Sequence, residues 1–162
     1  MKVIDRHING RGVLILCATF ALAVSSASLA GDRHEEKTEA KNKELVVAFY
    51  KMIFQDHKVR EALDLYVGDR YIQHNPLAPD GTEALIKFFE PYFANNPQAR
   101  SEIKRAVADG DLVVLHVHAK ANETDRGMAV VDIFRVENGK VVEHWDVVQP
   151  IPEKSANENT MF

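Results

Sequence analysis

The chain of 162 residues is 46% hydrophobic and 27% charged, with 24 Asp+Glu against 20 Lys+Arg for a net charge of −4. This composition supports one globular domain and excludes a disordered chain. A single cysteine excludes a disulfide scaffold, and the acidic balance opposes nucleic-acid binding.

Residues 1–30 read as a secretory signal. Lys2, Arg6 and Arg11 give a basic start, Val13 to Val24 is an apolar run, and Ser28-Leu29-Ala30 supplies small residues for cleavage before Gly31. The apolar run falls short of the ~20 residues that a spanning helix needs. Leu14-Ile15-Leu16 before Cys17 lacks the small residues of a lipoprotein signal. The expected protein is secreted or periplasmic, with no membrane contact once the signal is removed. Cleavage after Ala30 takes away Lys2, Arg6, Arg11 and Asp5, leaving 17 basic and 23 acidic residues, a net charge of −6 and no cysteine. Thiol chemistry is thereby excluded from the mature chain.

Residues 31–36 are polar and read as a flexible leader to a domain over 37–162. Leu45, Phe49, Met52 and Ile53 recur at helical spacing and predict an amphipathic helix over 37–55. Val59, Ala62, Leu63 and Tyr66 predict a second helix over 58–66, which Gly68 can stop. Tyr71 to Pro76 reads as an extended segment, because a residue before proline is pushed out of helical geometry. Thr82 is the expected N-cap of a third helix through Leu85, Ile86, Phe88 and Phe89, which Pro91 ends or kinks. From Ile103 onward the pattern is a meander: 103–108, a turn at Asp109-Gly110-Asp111, 112–121, a loop over 122–127, 128–137, a turn at Asn138-Gly139, and 140–149. Three helices followed by antiparallel strands form an α+β fold with the helices on one face of the sheet.

Alternation places His116 with His118, Asp132 with Phe134, and His144 with Asp146 on one face of their respective strands. Stacked together, these faces form a wall of His and Asp among apolar residues, with Leu115, Val117, Ile133, Trp145 and Val147 on the other side. A half-solvated sheet accounts for alternation alone. The concentration of His and Asp instead suits proton transfer near neutral pH. His116-x-His118, completed by Asp132, His144 or Asp146, is an alternative metal-ligand pattern that would need convergence across strands. Phe88, Phe89, Tyr92 and Phe93 fit a helix core and could also line an apolar pocket.

The segments Val46-Val47-Ala48-Phe49-Tyr50, Gly68-Asp69-Arg70-Tyr71-Ile72-Gln73-His74-Asn75-Pro76 and the hairpin Val131 to Gln149 resemble the SnoaL-like polyketide cyclase family of the nuclear transport factor 2-like superfamily. The resemblance covers about residues 40–162 and is nearest to a bacterial branch described as aldol-condensation-catalysing. It implies a cone-shaped α+β fold whose curved sheet wraps a pocket, and a homodimer through the convex face. It also implies a general base at Asp146 with Asp132, where the cyclases carry His, as its partner. His116, His118 and His144 would be the electrophilic donors. His74, Asn75, Tyr71, Phe134 and Phe89 would contact the substrate. No cofactor and no bound metal are expected. Two functions remain open: a lyase, isomerase or cyclase acting on a small carbonyl compound, and a non-catalytic carrier or sensor of a small apolar ligand.

Overall fold

The computed structural model describes residues 14–162, with side chains from Arg33 onward. Lys2, Arg6 and Arg11, the basic start of the expected signal, lie outside the described residues. The chain divides between Lys37 and Thr38 into two units. Helix α1 spans Leu14–Phe54. Among the described residues no helix is long and apolar enough to cross a membrane.

In the second unit, Val46, Phe49, Tyr50 and Ile53 of α1 form a buried stripe at three- and four-residue spacing. The helix ends where His57 takes φ 58°, and the His57 ring lies flat on Phe93 at 4.1 Å with Nε2 at 2.7 Å from the Ala99 carbonyl. Helix α2 (Val59–Tyr66) buries Val59, Ala62 and Leu63, and passes straight into strand β1 (Val67–Gln73). Gly68 therefore belongs to the strand and does not end the helix. A Cβ there would press on Val142 Cγ1 at 3.2 Å, so the glycine allows β1 to lie close to its neighbour.

Helix α3 (Glu83–Asn95) contains Pro91 and continues past it by one turn. The proline removes one amide from the ladder, and Asn95 Nδ2 donates to its carbonyl at 2.9 Å. Thr82 precedes the helix without making a side-chain cap. Strands β2 (Arg100–Asp109), β3 (Leu112–Lys120), β4 (Met128–Glu137) and β5 (Lys140–Pro150) follow the predicted meander. The sheet order is β1-β5-β4-β3-β2, with β1 parallel to β5 and the other pairs antiparallel. Gly127, at φ 81°, closes the β3–β4 loop where a Cβ would collide with the Ala119 carbonyl oxygen.

One face of the sheet carries Val113, Leu115, Val117, Val130, Phe134, Val136 and Val141, and this face packs under the helices. The Phe49 ring meets Phe134 edge-on at 5.8 Å, joining α1 to β4. Register at the centre of the sheet follows from one irregularity. In the β4–β5 hairpin, Glu137 pairs with Lys140 and Val136 with Val141, but Arg135 pairs with Glu143, leaving Val142 as an extra residue. Beyond this bulge Asp132 faces Asp146 and Phe134 faces His144.

Candidate functional site

Residues directly paired across a sheet share a face, so the pairings Leu115 with Asp132 and Asp132 with Asp146 put all three on the helix-covered side. Asp132 is 6% exposed and His144 8%. His144 Nε2 lies 3.1 Å from Asp132 Oδ1, and Nδ1 lies 2.8 Å from Gln73 Oε1. The imidazole sits between Tyr71 at 6.2 Å and Phe134 at 4.8 Å. Asn75 Nδ2 faces both oxygens of Asp146, at 3.0 and 2.8 Å. Parallel pairing of β1 with β5, including Gln73 with His144, delivers these two amides to the site.

Two buried phenols adjoin the carboxylates. Burial, and then the charge of Asp132, raise the Tyr50 hydroxyl well above the usual phenol range, where it also faces Ser101. Burial, followed by the charges of Asp132 and Asp146, does the same to Tyr71. Both stay protonated at any physiological pH and can act only as neutral hydrogen-bonding groups. Asp132 Oδ2 is buried without a hydrogen-bond partner.

Asp132 and Tyr50 line a cavity of about 320 Å³ between the sheet and α3, walled by Phe54, Phe88, Phe89 and Tyr92. Asn75 lines a second hollow of about 260 Å³, which shares Phe88 and Phe89 with the first. Asp132, His144 and Asp146 bring one ligand-type atom each to within 4.8 Å of one another, the group of this kind among the described residues. The Asn75 amide donates to both Asp146 oxygens, which leaves each of them a further lone pair.

Of the residues predicted from sequence, Asp132, His144, Asp146, Asn75, Tyr71, Phe134 and Phe89 gather around this wall or its cavities. His116 and His118 do not. Leu115 and Val117 take the inner face of β3, which turns both histidines to the outer face. There His118 Nε2 lies 2.8 Å from the Arg126 carbonyl, and His116 Nδ1 lies 3.0 Å from Arg105. The alternative metal pattern of His116 and His118 with Asp132, His144 or Asp146 is thereby removed. His74 also lies outside, because it alternates with Gln73. Its ring stacks on Trp145 at 4.5 Å, and its Nε2 lies 2.8 Å from Glu143. Sequence reasoning missed Gln73, Tyr50 and Ser101. The available signal was a tyrosine four residues after Val46 on the buried helical stripe, and a glutamine two residues before Asn75 on one strand face.

The His74–Glu143 contact belongs to an outer-face network. Glu143 also accepts from Arg135 Nε at 2.8 Å, and Arg135 reaches Asp111 at 2.6 Å. Hydrogen bonds from His74, then Arg135, hold the Glu143 carboxyl below its ordinary value of 4.5. A depressed carboxyl stabilises the fold above its unfolded-state value and loses that contribution as pH falls through its folded value. Glu143→Gln is accordingly expected to cost about 1 kcal/mol at pH 7. The difference from the parent should fade as pH drops below 4.5 and be lost at a second, more acid pH beneath the folded-state value. Urea unfolding at the two pH values measures it, and an equal cost at both would contradict the assignment.

The second unit is thus an α+β domain in which a carboxylate–imidazole wall adjoins a cavity lined largely by aromatic rings. Residues 46–144 match the SnoaL-like domain family, and the chain belongs to it. The fold is the α+β cone of the nuclear transport factor 2-like superfamily. Among solved structures, it is similar to a candidate polyketide cyclase from Acidithiobacillus ferrooxidans, at 19% identity and TM-score 0.53 over 67% of this chain and 87% of that one. A candidate SnoaL-like polyketide cyclase from Jannaschia sp. CCS1 matches at 20% identity and TM-score 0.53, over 68% and 86%. AclR of Streptomyces galilaeus, a candidate hydroxylase, matches at 22% and TM-score 0.55, over 68% and 76%. No curated protein matches the sequence. The different activities attached to these three names mark what they share as the fold.

Proposed function

We propose that the protein takes a small, largely apolar carbonyl compound into the 320 Å³ cavity and removes a proton alpha to the carbonyl, as a cofactor-independent lyase, isomerase or cyclase. Asp146 is the base. The observation that carries this reading is the pairing of Asp146 with an amide donor beside a buried Asp132–His144 couple. Asn75 donates to Asp146 and leaves it as an acceptor, so a lone pair stays available for the substrate C–H. Tyr50, a neutral phenol at the cavity wall, supplies a donor for the oxygen on which negative charge develops. A ligand seated against the aromatic walls would displace water from the site, which strengthens both interactions.

The aromatic lining also supports a second reading, a carrier that holds its ligand without chemistry. The two separate in one experiment. The protein is incubated in D2O with a panel of aryl and alkyl ketones, and deuterium entry at the alpha carbon is followed by NMR. Catalysed exchange supports the enzyme. Ligand line broadening without exchange across the panel supports the carrier and sinks the base assignment. The same reading places the protein outside the cytoplasm, on the basic start and apolar run of residues 1–30. It also pairs two copies through the outer sheet face, where Val147 is 70% exposed beside Trp145.

A further inference from the structure

Two carboxamides at the site have orientations fixed by backbone amides, and that fixes hydrogens elsewhere. The Asn75 backbone N–H donates to Gln73 Oε1 at 3.1 Å. A backbone amide can only donate, so the atom it meets is the amide oxygen and not the amide nitrogen. That same oxygen lies 2.8 Å from His144 Nδ1. Two acceptors cannot face each other at hydrogen-bond distance, so Nδ1 carries a hydrogen. The other ring nitrogen, Nε2, faces Asp132 Oδ1 at 3.1 Å. One proton must lie between them, as Nε2–H donating to the carboxylate or as Asp132 O–H donating to the ring. The two descriptions contain the same atoms and the same charge.

The companion amide follows the same logic. Leu77 N–H donates to Asn75 Oδ1 at 2.9 Å, which turns Nδ2 toward Asp146. A donor faces Asp146 and an acceptor faces His144. Adjacent carboxylates facing each other across β4 and β5 are thus made unequal, Asp146 bare and Asp132 sharing a proton.

We infer that Gln73 is a positioning residue: its amide oxygen locks His144 in the form hydrogenated at Nδ1 and thereby assigns one proton to the His144–Asp132 couple. The placement of hydrogens stands without any catalytic role. The consequence that this couple is the proton donor complementary to the Asp146 base rests on the function proposed above. The ring is engaged at both nitrogens and lies near the rings of Tyr71 and Phe134. The loop that carries Asn75 is itself stapled to β1, by Asp80 accepting from Gln73 N at 2.8 Å and by Gly81 N donating to the Tyr71 carbonyl at 2.8 Å.

The test is read by NMR on the full chain with 15N-labelled histidine, so it needs neither a substrate nor activity. The parent protein should show a His144 Nδ1–H proton sheltered from exchange with water. Gln73→Leu removes the acceptor and should lose that signal. Gln73→Glu returns an oxygen to accept from both the Asn75 amide and Nδ1 and should restore it. A histidine that merely packs between two rings would give the same spectrum in all three proteins. An unprotonated Nδ1 in the parent overturns the inference whatever the variants do. A signal that persists in the leucine variant, or that the glutamate variant fails to restore, also overturns it. Loss of alpha-carbon exchange activity with these spectra as expected would be a separate result, and an inactive protein with a sheltered Nδ1–H would sink only the proposed function.

Discussion

Asp146→Asn is expected to lower alpha-proton exchange by about 10²- to 10⁴-fold while ligand binding and folding stay close to the parent. The substitution is isosteric, and the new amide oxygen can still accept from Asn75 Nδ2. What it removes is a basic lone pair, since a carboxamide does not take up a proton near neutral pH. The readings are the initial rate of deuterium incorporation, the affinity for the same ketone, and the midpoint of thermal unfolding. A variant that exchanges at the parent's rate would remove Asp146 from the role of base. Lost binding together with lost exchange would make it a ligand contact instead.

The helices were legible in the sequence because their burial follows a single stripe. Val59, Ala62 and Leu63 lie where the periodicity puts them, and the four-strand meander is punctuated by its turns at 109–111 and 138–139. The edge strand was harder. Val67 to Gln73 has little alternation, and its pairing partner is β5, some 70 residues away, so nothing local announces it. Pro91, expected to end or kink its helix, does not end it, because the one amide hydrogen bond that a proline cannot make is tolerated near a helix terminus.

The site was legible in part, for a reason that lies in register. A plain two-residue turn at Asn138-Gly139 would continue the pairing of Glu137 with Lys140 and set Asp132 opposite Trp145. His144 and Asp146 would then sit on the other face. The extra residue at Val142 shifts the ladder by one and brings Asp132, His144 and Asp146 together. Nothing in the sequence of apolar residues around Val142 marks a bulge. Stacking polar with polar happened to be right for β4 and β5 and wrong for β3, where the buried alternate is Leu115 and Val117. On β3 the apolar set was the better guide, because that face lies under the helices and polar residues there would lack partners.

Phe49→Ala is expected to destabilise the domain by about 3–5 kcal/mol, a large share of the ~5–15 kcal/mol that a domain has. Phe49 is 1% exposed, and its ring meets Tyr66 at 6.0 Å and Phe134 at 5.8 Å in edge-to-face contacts. The helices and the sheet meet at this ring, so the space it vacates cannot be filled by a small shift of one element. Phe49→Leu keeps most of the volume and should cost less than about 1.5 kcal/mol. Urea unfolding separates the two, and an alanine variant within 1 kcal/mol of the parent would mean that α1 does not close the core as described. The same ring also bears on the chemistry. Phe134 lies between Phe49 and His144, with its ring 4.8 Å from the imidazole. Loss of the Phe49 ring therefore frees Phe134, then the imidazole, and the sheltered Nδ1–H should exchange faster even in molecules that remain folded.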